Sequence, residues 1–252
     1  MSRYKITVGY DGTHYCGWQV QPNVVTVQGC LETALLRLEE QPVKVHGSGR
    51  TDQGVHAVGQ VAHFDIEKPF TEQTLWSALN ALIPDDIRVM RVDSVPFAFH
   101  ARKHTRDKTY RYFIWNRKNM PPTLRLYQLH VPERLDIDAM REAAMQLQGQ
   151  HDFAAFTSNS RVVVEDTVRN LFELQVRKSG SEITIVVRGD GFLYKMVRAL
   201  TGWLLRVGKG EADPSETERI LQSNVRTARV PTAPARGLFL WNVRYQKKRE
   251  QR

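Results

Sequence analysis

The sequence predicts an α+β protein made of two related halves whose sheets join into one, with a cleft between them. Three observations carry this reading. Apolar patterning over the first hundred residues runs strand, helix, strand, strand, helix, strand, a split βαβ order of the ferredoxin or RNA-recognition type. Thr7-Val8-Gly9-Tyr10-Asp11-Gly12 is echoed by Val186-Val187-Arg188-Gly189-Asp190-Gly191, each ending a strand in Asp-Gly. Helices also interleave with strands in both halves. The boundary is placed after residue 104, giving an N-terminal half, 1–104, and a C-terminal half, 105–252. A chain of 252 residues has enough length to bury a substantial core in either arrangement.

The elements follow in order. Tyr4 to Tyr10 alternates like a strand, with Ile6 and Val8 on one face, and Asp11-Gly12 turns the chain. Gln28 to Glu40 is an amphipathic helix whose Leu31, Ala34, Leu35 and Leu38 make one apolar stripe. Strands at Val43–His46 and Gln60–Ile66 flank a glycine-rich loop. Thr71 caps a second helix, Glu72 to Leu82, with Leu75, Leu79 and Leu82 inward, and Ile87 to Val92 is the next strand. The basic segment Phe99 to Lys108 leads into an aromatic strand, Thr109 to Trp115, with Tyr110 at its start. Arg117 to Pro122 reads as an exposed loop, Asp138 to Leu147 as a helix, and His151 to Phe156 as packing beneath the cleft. Strands Val168–Val176 and Glu182–Arg188 precede a helix from Tyr194 to Val207 with Met196, Val197, Leu200 and Leu204 in the core. Asp213-Pro214-Ser215-Glu216 starts a helix that runs to Ser223. Gly237 to Val243 is a final buried strand, and the basic tail Lys247–Arg252 is expected to be mobile.

Composition narrows the partner. Lys and Arg number 36 against 27 Asp and Glu, a formal charge of +9 with a pI near 9.7, which points to a polyanion and by default to nucleic acid. Basic residues mixed with aromatics around Tyr110 suit RNA, where cations meet phosphates and a ring stacks on an unpaired base. Cys16 and Cys30 are too few for a disulfide framework or a multi-Cys zinc site. The alternating N-terminus lacks the apolar core of a signal peptide, and no apolar run is long enough to span a bilayer. A soluble, cytoplasmic protein is expected.

The chemistry centres on Gly47-Ser48-Gly49-Arg50-Thr51-Asp52-Gln53-Gly54-Val55-His56-Ala57. A hairpin connection in which Asp52 bonds only to local amides is the simple alternative. A phosphate cradle is the weaker reading, because neither the Lys-Ser/Thr ending of a P-loop nor G-x-G-x-x-G is present. Asp52 is the candidate reacting group. Arg50 lies two residues away, on the same side of an extended segment, and a guanidinium there keeps a carboxylate ionised when a substrate displaces water. Arg198 follows Val197 in its helix, so it points about 100° away from that core residue, at the edge of the packed stripe.

Gly49-Arg50-Thr51-Asp52-x-Gly54-Val55-His56-Ala57 resembles the signature of the TruA family of tRNA pseudouridine synthases. Phe192-Leu193-Tyr194-Lys195-Met196-Val197-Arg198 resembles that family's second signature, and Gly237-Leu238-Phe239-Leu240 its C-terminal Gly-Leu-x-Leu. The resemblance implies one extended, mixed, mainly antiparallel sheet with helices on one side, the pseudouridine synthase fold. It implies isomerisation of uridine in the anticodon stem-loop of tRNA, at positions 38, 39 and 40. There Asp52 is the nucleophile, Tyr110 the active-site tyrosine, Arg198 the partner of the acid and Arg50 a substrate contact. It implies a homodimer and needs neither metal nor coenzyme. The residues do not choose between attack of Asp52 on the sugar, attack on the ring, and assisted elimination. The runner-up is a non-catalytic RNA-binding module, which leaves Asp52 without a purpose, and the third reading is a metal-dependent nuclease, which requires clustered acids.

Overall fold

A computed structural model describes residues 1–158 and 166–246. The tail Lys247–Arg252 therefore lies outside the described residues. The chain folds as two compact units, one holding Met1–Arg106 together with the segment from Phe239 onward, the other Asp107–Leu238. No helix among the described residues is long and apolar enough to cross a membrane.

The first unit contains β1 (Ser2–Tyr10), α1 (Val27–Glu39), β2 (His46–Gly47), β3 (His56–Ile66), α2 (Glu72–Leu82), β4 (Ile87–Val95) and β10 (Leu238–Tyr245). Its strand order is β4-β1-β3-β10, with β2 paired to β3. β1 is antiparallel to both neighbours, whereas β10 runs parallel to β3 through Phe239 opposite His56 and Leu240 opposite Ala57. That parallel pair returns the C-terminal strand to the first unit instead of leaving it in a C-terminal half ending at 252. Alternation along β1 and β3 sorts the side chains. Tyr4, Ile6 and Val8 oppose Phe64, Ala62 and Gln60 on one face, while Arg3 and Lys5 oppose Asp65 and His63 on the other. The stripes Leu31, Ala34, Leu35 and Leu75, Leu79 are fully buried, and Thr71 and Thr26 accept from Thr74 and Gly29 amides as N-caps.

Two strand boundaries differ from expectation for identifiable reasons. The strand expected over Val43–His46 shrinks to His46–Gly47 because α1 side chains occupy the backbone of Val45: its amide donates to Glu32 Oε1 and its carbonyl accepts from Gln28 Nε2. In contrast, β3 begins at His56, not Gln60, because Tyr10 and β10 both pair with Ala57. The last two residues of the signature, His56 and Ala57, are thus strand.

The second unit holds β5, whose strand runs Thr105–Trp115, then β6 (Leu129–His130), α3 (Ile137–Gln146), β7 (Gly149–Asp152), β8 (Val168–Ser179), β9 (Glu182–Gly189), α4 (Met196–Gly208) and α5 (Glu216–Ser223). The order β5-β9-β8-β7 is antiparallel, with β6 parallel to β5. Tyr112, Ile114, Ile183, Ile185, Leu200 and Trp203 form its core, and the Trp203 indole donates to Thr217 Oγ1. His151-Asp152, expected only to pack, belongs to edge strand β7, after which Phe153 and Phe156 are buried. The α+β class and the mixed, mainly antiparallel pairing match the expectation.

Candidate active site

The loop between β2 and β3 is braced from several directions. Ser48 amide donates to Val61 carbonyl at 2.7 Å, and the buried Ser48 hydroxyl bonds Gln60 Oε1 at 2.7 Å. Gln60 Nε2 then donates to Gly49 carbonyl at 3.0 Å. The Tyr10 hydroxyl meets Thr51 Oγ1 at 2.8 Å, and burial pushes the Tyr10 hydroxyl well above its ordinary pKa, so it stays an O–H. A second loop closes over the same stretch: Trp18 amide donates to Thr51 carbonyl and Gly54 amide to Tyr15 carbonyl. Gly17 makes this approach possible. Its φ is +85° and a Cβ there would stand 2.6 Å from Thr51 O.

Asp52 sits half-exposed at the crest, with its carbonyl accepting from Val55 amide. Thr51 beside it is buried, so the residue next to the acid is fixed while the acid meets solvent. Arg50 is exposed and its Nε donates to Gln19 Oε1 at 3.1 Å. His56, the signature histidine, is wholly buried: Nδ1 accepts from Gly12 amide at 3.0 Å and the ring stacks on Phe239 at 4.5 Å. It is a packing and turn-fixing residue of the strand's start.

Tyr110 and Arg198 belong to the second unit. Tyr110 is not at the start of its strand, since β5 begins at Thr105. It pairs with Val187, is 7% exposed, and meets the Phe192 ring edge-on at 5.0 Å. Arg198 lies in the first turn of α4, which Lys195 enters from a left-handed backbone conformation. Its Nε donates to Ala233 carbonyl at 2.7 Å while Ala233 amide donates to Arg198 carbonyl at 2.9 Å. It is half-buried and fixed along one edge, unlike a solvated surface charge. Tyr112, below, donates to Pro234 carbonyl at 2.8 Å.

Sequence reasoning missed the braces. Tyr10, Ser48 and Gln60 read as ordinary strand and loop positions, and a buried amide on the apolar face of β3 was their one detectable signal. Gln19 carried none. Among the described residues no group of three or more His, Cys, Asp or Glu is arranged to hold a metal ion.

The first of two α+β units thus presents a half-exposed carboxylate on a braced loop, within a strongly basic chain. The sequence matches the tRNA pseudouridine synthase family over residues 6–102 and 143–246. It is 44% identical over 247 residues to tRNA pseudouridine synthase A of Exiguobacterium sp., covering 98% of this chain and 99% of that one. The corresponding protein of Oceanobacillus iheyensis is 42% identical over 247 residues (98% and 98%), and that of Brevibacillus brevis 44% over 245 residues (97% and 100%). The chain therefore belongs to the tRNA pseudouridine synthase family and is an isomerase acting on tRNA uridine.

Proposed function

We propose that this enzyme converts uridine to pseudouridine in the anticodon stem-loop of tRNA, at positions 38, 39 and 40, with Asp52 as nucleophile. The observation that carries the reading is the presentation of Asp52: a half-exposed carboxylate on a loop whose neighbouring residues are buried and hydrogen-bonded. A carboxylate needs no activation at neutral pH. The N-glycosidic bond breaks, the uracil rotates, and C5 is joined to the same sugar carbon. The C5 proton leaves to solvent and the freed N1 takes one up in its place, so uridine and pseudouridine are isomers and no coenzyme enters the balance.

The remaining roles follow from chemistry. The target must leave the base stack, at a cost of a few kcal/mol that protein contacts offset. Arg50, exposed and oriented by Gln19, contacts the RNA backbone. Arg198 supplies the counter-charge that keeps Asp52 ionised under bound RNA. Tyr110 supports the everted base by ring contact, because a free tyrosine hydroxyl is a poor base at neutral pH. The protein acts as a cytoplasmic homodimer, and the acid and the Tyr–Arg pair come from N- and C-terminal halves, respectively.

Transfer RNA tritiated at uridine C5 tests the assignment. Wild type is expected to release label to water without added metal or nucleotide, and Asp52→Asn to release none while still binding tRNA. Release by the variant would remove Asp52 as the nucleophile, and binding without release by both proteins would favour a non-catalytic RNA-binding module.

A further inference from the structure

Between the first strand and α1 stands a tip that the fold does not use. Every residue from Val20 to Val25 is exposed, including Val20 at 44%, Val24 at 42% and Val25 at 61%. The tip, Val20-Gln21-Pro22-Asn23-Val24-Val25, carries no charge in a chain where a quarter of the residues do. It is also well fixed. Cys16 amide donates to Val25 carbonyl at 2.9 Å, Val20 amide to Gln28 Oε1 at 3.1 Å, and Gln21 Nε2 to Cys16 carbonyl at 3.1 Å. Asn23, at φ +62°, turns the chain at the apex.

The base of this tip is joined to the loop that carries Asp52. Trp18 amide bonds Thr51 carbonyl, and Gln19 Oε1 accepts from Arg50 Nε. Pro22, next to the apex, is three residues from Gln19, within about 10 Å along an extended chain. A stiff apolar projection thus stands beside a proposed phosphate contact.

We propose that Val20, Pro22, Val24 and Val25 form a wedge that enters the base stack of the RNA beside the everted uridine. This rests on the uridine-isomerase reading and extends it to how the nucleotide is extracted. Eversion leaves an unstacked gap, and aliphatic or proline side chains are the groups that fill such gaps in nucleic acids. An uncharged tip enters stacked bases without desolvating an ion, while Arg50 alongside meets the backbone. Four small apolar side chains fall well short of the area of a stable protein–protein interface, so a second protein is the weaker occupant.

The test compares Val24→Ser/Val25→Ser with wild type on two tRNAs. In one the target uridine is paired in the stem; in the other a mismatch opposite leaves it already unstacked. The variant is expected to lose about tenfold in kcat/KM on the paired target, a loss of about 1.4 kcal/mol, and less than about twofold on the mismatched one. Val24→Leu/Val25→Leu should restore the paired substrate. A 2-aminopurine next to the target should brighten less with the serine variant, a readout independent of catalysis. Both side chains are exposed, so the fold is retained, and a melting curve checks it. Equal loss on both RNAs, no loss on either, or a change in sedimentation of the RNA-free protein would overturn the wedge. Absence of product from wild type would defeat the isomerase reading instead, and the fluorescence comparison would still decide the wedge.

Discussion

Strands β1 and β3 hold two loops by two kinds of chemistry, on opposite faces. Toward the α1 and α2 side, the side chains that bond the Asp52 loop are hydroxyls and an amide: Tyr10 on Thr51, and Gln60 on Ser48 and Gly49. On the reverse face, the segment Phe97–His104 is held by titratable groups. His63 Nδ1 accepts from Ala101 amide at 3.2 Å, its ring lies 5.0 Å from His46 and 4.8 Å from His100, and Arg3 bridges the carboxylate of Asp65 and the carbonyl of Phe99. The contrast assigns different sensitivities. The acid's loop is set by groups that do not change charge near neutrality, whereas the grip on the cationic segment depends on protonation.

The most severe way to break this comparison is to push the acid's loop off its support. Gly17→Ala puts a Cβ 2.6 Å from Thr51 O and 3.1 Å from the Asp52 carbonyl carbon, at a φ of +85°. Overpacking and left-handed strain together cost about 3 kcal/mol or more, and activity should fall with stability. Gly180→Ala, at φ +58° with nothing within 4 Å, carries the strain alone. It should cost about 1 kcal/mol with activity unchanged. Urea unfolding of the two variants measures the difference. Similar losses in both would mean that the contact with Thr51 does not constrain the loop.

Most of the fold was legible because its signals are local. The stripes of α1, α2 and α4 and the alternation of β1 and β3 are short-range consequences of burial, and Thr71 capped its helix as its residue type demands. Val45 was misread because its hydrogen bonds go to side chains of α1, thirteen and seventeen positions away in sequence, a competition that periodicity does not register. The same distinction applies at the site. Asp52 stood out through its glycines and neighbours, but its braces reach across the sequence: Tyr10 to Thr51 spans 41 positions and Gln60 to Gly49 spans 11. Such pairings are tertiary, and the amide of Gln60 on an otherwise apolar strand face is the one trace of them in the sequence.

The reverse face gives the next prediction, with its sign fixed by burial. Desolvation first, then the charges of His46, Arg3 and His100, lower the pKa of His63 from 6.5 to about 4, against the opposing pull of Asp65. Lys5 opposes it on β1, and Lys44, Glu32, Lys103 and His104 complete the charged surroundings of its two ring neighbours, His46 and His100, whose pKa values are also lowered by burial. The fold thus favours neutral His63. Its contribution is complete above about pH 7 and is lost as pH falls from 6.5 toward 4, while the unfolded chain takes up the proton. After allowance for solvent screening, about 2 kcal/mol should disappear between pH 7.5 and 4.5. His63→Gln keeps an acceptor for Ala101 amide and should flatten that slope in urea titrations. An unchanged slope would show that another group governs the acid sensitivity.

The smallest effect tests the other half of the comparison most directly. Tyr10→Phe removes one hydroxyl and leaves the buried Thr51 Oγ1 without that partner, a loss of about 1 kcal/mol in stability. On the proposed role of Asp52, Tyr10 is a positioning residue, since its hydroxyl bonds Thr51, the neighbour of the acid. The variant should therefore lower kcat several-fold, because the carboxylate is less well placed, and leave the KM for tRNA unchanged, because Arg50 and the exposed tip are untouched. The displaced hydroxyl does not ionise near neutrality, its pKa being raised by burial. The fractional loss in kcat should then be the same at pH 6 and pH 8. A loss that varied across that range, or that fell on KM, would mean that the loop's support titrates after all, and the division between a charge-neutral grip on the acid and a titratable grip on the cations would fail.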